Sequence, residues 1–238
     1  LHNNRHSFPT RRSSDLSRIQ SALAAAAATA GRSQSQVGLV AVSKTVDSAT
    51  IRAMHALGQR DFAENRPQML RDKARELADL PIIWHFIGPL QTNKIKYVYP
   101  VAGLVHSLDR RELLEEFSTW ARKTGRRCPA LLQVHISRET AKQGFACDEI
   151  LAVIREYRDS EHLDLRGMMG MAPLDADETT TRACFHELAE LFAASHSLQG
   201  RAWNPHHLSM GMSGDFHLAI AEGATLVRIG TALFTGEK

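Results

Sequence analysis

The chain has 238 residues, 43% of them hydrophobic and 23% charged, which suits one globular domain with a large core. It holds no run of about 18 apolar residues, so no transmembrane helix is expected. Lys plus Arg exceed Asp plus Glu only by 29 to 26 and are scattered, which excludes the basic stripe of a nucleic-acid-binding protein. The three cysteines, Cys128, Cys147 and Cys184, are odd in number and show no CxxC spacing; neither a disulfide frame nor a zinc site is indicated, and a reducing, cytoplasmic compartment is predicted.

Leu1 to Asp15 lack periodicity and mix His, Asn, Arg and Ser irregularly; they read as a leader foreign to the domain, which is expected to span residues 16–238. From Leu16 an Ala-rich stretch carries Leu16, Ile19 and Leu23 at helical spacing and stops at Gly31. Val37 to Ser43 is an apolar strand that delivers Lys44 to its carboxyl end. Asp47-Ser48 caps a short helix with Ile51 and Met54, stopping at Gly58. Asp61 to Ala63 is a short strand, and Pro67, suited to a first helical turn, opens a helix to Leu80. Ile82 to Ile87 is too short and β-branched for a helix, and Gln91, Asn93 and Lys94 open the next one.

The alternation continues. Leu104-Val105 is a brief strand, and Asp109 with Glu112 resembles a capping box before a helix bearing Leu113, Phe117 and Trp120. Strands follow at Ala130–Ile136, Leu165–Met169, His207–Met210 and Thr225–Ile229, separated by helices near Asp148–Tyr157, Asp177–Ala194 and Gly214–Glu222. Eight strand–helix units in this length predict a single small (β/α)8 TIM barrel, with a doubly wound open sheet as runner-up. Against the open sheet, Ser43-Lys44-Thr45-Val46 has no glycine and cannot form a GxGxxG or P-loop turn.

A barrel gathers its strand ends at one mouth, where Lys44, Asn65, His85, Ser209 through Ser213 and Arg228 through Thr231 become candidates. Ser209-Met-Gly211-Met-Ser213 and Ile229-Gly230-Thr231 combine hydroxyls with glycine after the last two strands, where barrels bind phosphate. Burial lowers the pKa of a lysine and makes it a nucleophilic amine for Schiff-base chemistry. That amine, a phosphate site and an arginine at one mouth describe a pyridoxal phosphate pocket, with Arg228 facing the pyridine nitrogen. A barrel enzyme for phosphosugars, with Lys44 joined to a substrate carbonyl, remains open at this point. His85 reads as a satisfied barrel-interior histidine rather than a catalytic base. His206 and His207 lack a further ligand at metal spacing, so no metal is expected. Met210 and Met212 read as packing residues.

Val40-Ala-Val-Ser-Lys44, Phe62-Ala-Glu-Asn65, Trp84-His-Phe-Ile-Gly-Pro-Leu-Gln-Thr-Asn-Lys94, Leu165-Arg-Gly-Met-Met169, Leu208-Ser-Met-Gly-Met-Ser213 and Val227-Arg-Ile-Gly-Thr231 resemble the YggS/PROSC family of pyridoxal phosphate homeostasis proteins. The resemblance runs from about Val37 to Phe234. It implies a barrel of the alanine racemase N-terminal-domain type, with Lys44 carrying pyridoxal 5'-phosphate as an aldimine and Asn65 lining the cofactor. It places Ser209 and Ser213 with Gly230 and Thr231 on the phosphate, and moves His85 towards the cofactor. Ala63 stands where the family usually has Gly, Arg66-Pro-Gln-Met69 replaces the common segment after Asn65, and Gly214 replaces a frequent Asp.

An arginine donates only and stays cationic, so it keeps the pyridine nitrogen unprotonated and weakens the electron sink that catalysis needs. A racemase also needs a base on the opposite ring face, which alanine racemase takes from a second domain; the chain reaches Lys238 soon after Thr231, so no such domain is expected. A monomeric carrier is therefore expected, one that buffers pyridoxal phosphate, meets amino acids and supplies apoenzymes. A slow amino-acid racemase is the alternative.

Overall fold

The computed structural model describes residues 8–137 and 143–234. The first seven residues of the expected leader lie outside the described residues. Eight strands, β1 (Gly38–Val42), β2 (Asp61–Glu64), β3 (Ile83–Phe86), β4 (Leu104–Leu108), β5 (Pro129–Gln133), β6 (Asp164–Met169), β7 (Trp203–Ser209) and β8 (Leu226–Ile229), pair in parallel in sequence order. Gly38 lies opposite Leu226 and Ala41 opposite Ile229, so β8 returns to β1 and closes a (β/α)8 barrel; the open-sheet runner-up is ruled out. Among the described residues the α-helices are α1 (Phe8–Thr29), α2 (Ser48–Ala56), α3 (Pro67–Glu76), α4 (Ile95–Val98), α5 (Arg111–Thr124), α6 (Ile150–Tyr157), α7 (Glu178–Ser195), α8 (Phe216–Ala221) and α9 (Thr231–Phe234).

Alternation along the strands divides the core in two. Val40, Val42, Ala63, Leu104, Leu131, Met169 and Leu226 fill the barrel interior, with Ile87 packed on them. Ala41, Phe62, Trp84, Phe86, Val105 and Leu132 face outwards into the larger layer under the helices. Asp47 caps α2 as the sequence predicts, accepting from Thr50 N at 2.9 Å, and Asp177 caps α7, accepting from Thr180 N at 2.7 Å. Arg32 ties α1 to the last unit through the carbonyls of Ile220 at 2.9 Å and Ala224 at 2.8 Å.

Several boundaries differ from expectation. Helix α1 begins at Phe8, upstream of Leu16. Strand β7 begins at Trp203, not His207, because the fully buried indole donates to Ser195 O at 3.1 Å and anchors the strand start. The Asp109 capping box is absent: α5 starts at Arg111, and Asp109 accepts from Arg110 at 2.6 Å instead. The short α9 and the extension of β4 to Leu108 were not anticipated. At Gly167, φ is +142° and a Cβ would lie 1.9 Å from His207 O, so only glycine permits the β6–β7 register shift.

Candidate functional site at the barrel mouth

Strand β1 is locked immediately before Lys44. Ser43 is fully buried; its N–H donates to Ala63 O at 2.9 Å and its Oγ to Glu64 Oε1 at 2.6 Å. Lys73 Nζ, from α3, donates to Ser43 O at 2.8 Å and pairs with Glu64 at 2.7 Å, both side chains being almost completely buried. The chain then emerges into solvent at Lys44. β1 ends at Val42, so Lys44 stands two residues beyond the strand, in the turn at the carboxyl-terminal rim of the barrel.

Arg228, on the neighbouring strand β8 in register with Val40 of β1, is 4% exposed. Its Nη1 donates to Ser209 Oγ at 2.6 Å and its Nη2 to Gly170 O at 3.1 Å, which fixes the guanidinium at the carboxyl end of β6. Burial pushes its pKa down to about 10, opposed by Asp215, so it remains a cation at neutral pH. The loop after β7 is shaped by Gly211, whose φ is +92° and where a Cβ would meet Ala219 Cβ at 2.6 Å. Asp215 accepts from Met212 N at 2.5 Å and closes that loop. Ala232 N donates to Ser213 Oγ at 3.3 Å, so the loops after β7 and β8 touch. A Cβ on Gly230 would lie 3.2 Å from Val42 O, placing this second loop against β1 just before Lys44. Lys44, Ser213, Gly230, Thr231 and Arg228 therefore gather on three neighbouring strands.

The remaining expected residues divide. Asn65 follows β2 at the rim, where Gly88 packs so closely that a Cβ would lie 2.0 Å from Asn65 O. Ser209 is fully buried, and its hydroxyl engages Arg228 and His106 inside the barrel rather than the rim loops. His85 is interior too, as a structural histidine would be: Nε2 lies 2.9 Å from Asp61 Oδ1 and Nδ1 lies 2.8 Å from His106 Nε2. It reaches Arg228 only through His106 and Ser209, the His106 Nδ1 to Ser209 Oγ distance being 2.9 Å. Burial holds the His106 pKa well below its ordinary value, with His85, Arg228 and His207 acting in the same direction.

His106, Asp61, Glu64 and Lys73 were missed as site-forming residues. The signal for His106 was the period of two from Leu104, hidden once the strand was ended at Val105. A cavity of about 450 Å³ adjoins the mouth, lined by Gln133, His135, Ile136, Met171, Leu174 and Met212 among others. A second groove of about 380 Å³, between α3 and β3, lies in the outer layer and shares no lining residue with it.

A family model described as "Alanine racemase, N-terminal domain" matches residues 14–238. The pyridoxal phosphate homeostasis protein of Pseudomonas aeruginosa is 41% identical over 92% of this chain and 93% of its own length. The chain belongs to the pyridoxal phosphate homeostasis protein family. Its member from Deinococcus radiodurans is 44% identical over 88% of this chain and 94% of its own. Among solved structures, PipY of Synechococcus elongatus with pyridoxal phosphate bound matches with a TM-score of 0.82 at 33% identity, covering 94% of this chain and 99% of PipY. The family's alanine-racemase-type barrel is thus the one on which Lys44 and Arg228 are mounted here. No helix among the described residues is long and apolar enough to cross a membrane.

Proposed function

We propose that the barrel mouth binds pyridoxal 5'-phosphate reversibly through Lys44, and that the protein serves pyridoxal phosphate homeostasis as a carrier rather than as an enzyme. The observation that carries this reading is the position of Lys44 at the carboxyl end of β1, beside the strand that carries the buried, doubly anchored Arg228. The donor set fits the cofactor: an amine for its aldehyde, a fixed cation for its ring nitrogen, and two touching glycine–hydroxyl loops for its phosphate. When bound, pyridoxal phosphate supplies an aldehyde that condenses with a primary amine and releases water, a reversible step.

Lys44 Nζ would hold the cofactor, and the clamp on Ser43 fixes where that amine leaves the strand. Ser213, Gly230 and Thr231 would hold the phosphate, with Gly211 shaping the loop, and Asn65 would border the ring. Arg228 cannot accept a proton, so it would leave the ring nitrogen of a bound cofactor unprotonated, which would favour storage over carbanion chemistry. Ser209 and His85 support the site from within the barrel. The finer parts of the reading are a monomer of one domain, working in the cytoplasm, open to amino acids and delivering the cofactor to apoenzymes.

Visible absorbance of the purified protein with added pyridoxal phosphate tests the binding claim. A yellow wild type and a colourless Lys44→Ala variant are expected. Steady exchange of amino-acid α-protons for deuterium by the holoprotein would refute the carrier reading and support a racemase.

A further inference from the structure

The interior of the barrel carries a chain of polar side chains contributed by five strands. Arg228 Nη1 lies 2.6 Å from Ser209 Oγ, which lies 2.9 Å from His106 Nδ1. His106 Nε2 lies 2.8 Å from His85 Nδ1, and His85 Nε2 lies 2.9 Å from Asp61 Oδ1. The two ends are chemically unequal. A guanidinium only donates, and a carboxylate only accepts.

These ends fix every proton between them. Ser209 Oγ accepts from Arg228, and its own hydrogen has one remaining acceptor among its partners, His106 Nδ1. A neutral imidazole that accepts at Nδ1 carries its proton on Nε2, so His106 donates to His85 Nδ1. His85 in turn carries its proton on Nε2 and donates to Asp61. The reverse order would point His106 Nδ1–H at Ser209 and leave a fully buried hydroxyl hydrogen without an acceptor. A doubly protonated His106 would do the same and also bury a second cation beside Arg228.

We infer that a one-way hydrogen-bond chain runs from Arg228 through Ser209, His106 and His85 to Asp61, locks both imidazoles as neutral Nε2–H tautomers, and makes His106, His85 and Asp61 positioning residues for Arg228. Asp61 is the first residue of β2, at the amino-terminal end of the barrel, with its side chain 36% exposed. Arg228 meets Gly170 O at the opposite end. The chain therefore connects the cofactor-facing cation to an accessible carboxylate on the far side of the molecule. The charged and titratable groups around it are Asp61 on β2, His85 on β3, His106 on β4, Arg166 on β6, His206 and His207 on β7, Arg228 itself on β8 and Asp215 in the loop after β7. The low pKa of His106 agrees with the neutral assignment.

The tautomers are read directly in cofactor-free protein by long-range proton–nitrogen NMR with 15N-labelled histidine, signals being assigned by His85→Asn and His106→Asn. Neutral Nε2–H patterns for both residues are expected at about pH 7, with that of His106 unchanged as the pH falls to about 5.5, whereas free histidines titrate there. An Nδ1–H His106, or one that becomes an imidazolium in that range, would overturn the assignment. For positioning, the readout is hydrogen exchange of the Arg228 guanidinium, expected to be at least about tenfold faster in Asp61→Ala, the loss of roughly one hydrogen bond's constraint. Asp61→Asn retains an acceptor oxygen and should restore slow exchange. Equal exchange in wild type and Asp61→Ala would refute the positioning role. The proposal draws its functional meaning from the cofactor reading above, yet none of these measurements needs cofactor. A protein that never binds pyridoxal phosphate would refute that reading alone, while the tautomer and exchange results still decide the chain.

Discussion

Replacing Lys73 by Met tests how the mouth is held in place. Lys73 and Glu64 form an ion pair at 2.7 Å, with side chains only 6% and 1% exposed. Removing the ammonium leaves the Glu64 carboxylate buried, with Ser43 Oγ at 2.6 Å as its remaining donor. Breaking one side of such a pair costs about 3–5 kcal/mol. Glu64 Oε2 already lacks a hydrogen-bond partner, so the native pair is imperfectly compensated and the lower part of that range is expected. At roughly 2–4 °C per kcal/mol for a domain of this size, Lys73→Met should lower Tm by about 6–15 °C. Glu64→Gln combined with Lys73→Met should recover most of the loss. Gln still accepts from Ser43, and Ser43 O keeps its bond from Val46 N at 3.1 Å. Urea unfolding of the wild type, both single variants and the double variant gives the interaction energy, expected at about 2–3 kcal/mol. Pyridoxal phosphate affinity should fall in Lys73→Met under conditions where the protein stays folded, because Ser43 immediately precedes Lys44. A single-variant cost below about 1 kcal/mol, or strict additivity, would refute the reasoning.

Acid should destabilise the fold in a defined window. Burial lowers the His207 pKa to about 4, helped by His206, His85 and Arg166, and His106 is lowered as well; the unfolded chain takes up these protons near pH 6.5. The contribution is complete above about pH 6.5 and is lost as the pH falls towards 4, so urea midpoints should decline through that interval and decline less in His207→Gln. Midpoints that stay flat there would contradict the assignment. Gly211→Ala should cost about 2–4 kcal/mol and weaken cofactor binding, since its φ of +92° is strained for alanine and its Cβ would collide with Ala219. Gly214→Ala, with no atom within 4 Å of its Cβ, is the control and should leave stability close to wild type.

Much of this was legible in the sequence because the barrel repeats a local signal. Each apolar run ends in a cap or glycine, and Lys44, Arg228, Ser213 and Gly230 could be placed at strand ends by counting units. Contacts across the barrel were not legible, because they depend on register. Ser209 sits at a strand end like the phosphate-loop residues, yet it faces the interior and bonds Arg228. Lys73 has the spacing of a solvated helix face and is buried only because α3 packs over Glu64. His106 required a strand three residues longer than the two-residue apolar signal suggested, and β4 gains that length from pairing with β5, where Leu108 lies opposite Leu132.

The central claim is that Lys44 is the residue that takes the cofactor. Borohydride treatment of the protein after incubation with pyridoxal phosphate, followed by peptide mass mapping, tests it directly. One stoichiometric phosphopyridoxyl group on Lys44 is expected, and none on Lys73 or Lys94 at matching cofactor concentrations. Stoichiometric labelling that persists in Lys44→Ala, or a wild type that takes no label, would contradict it.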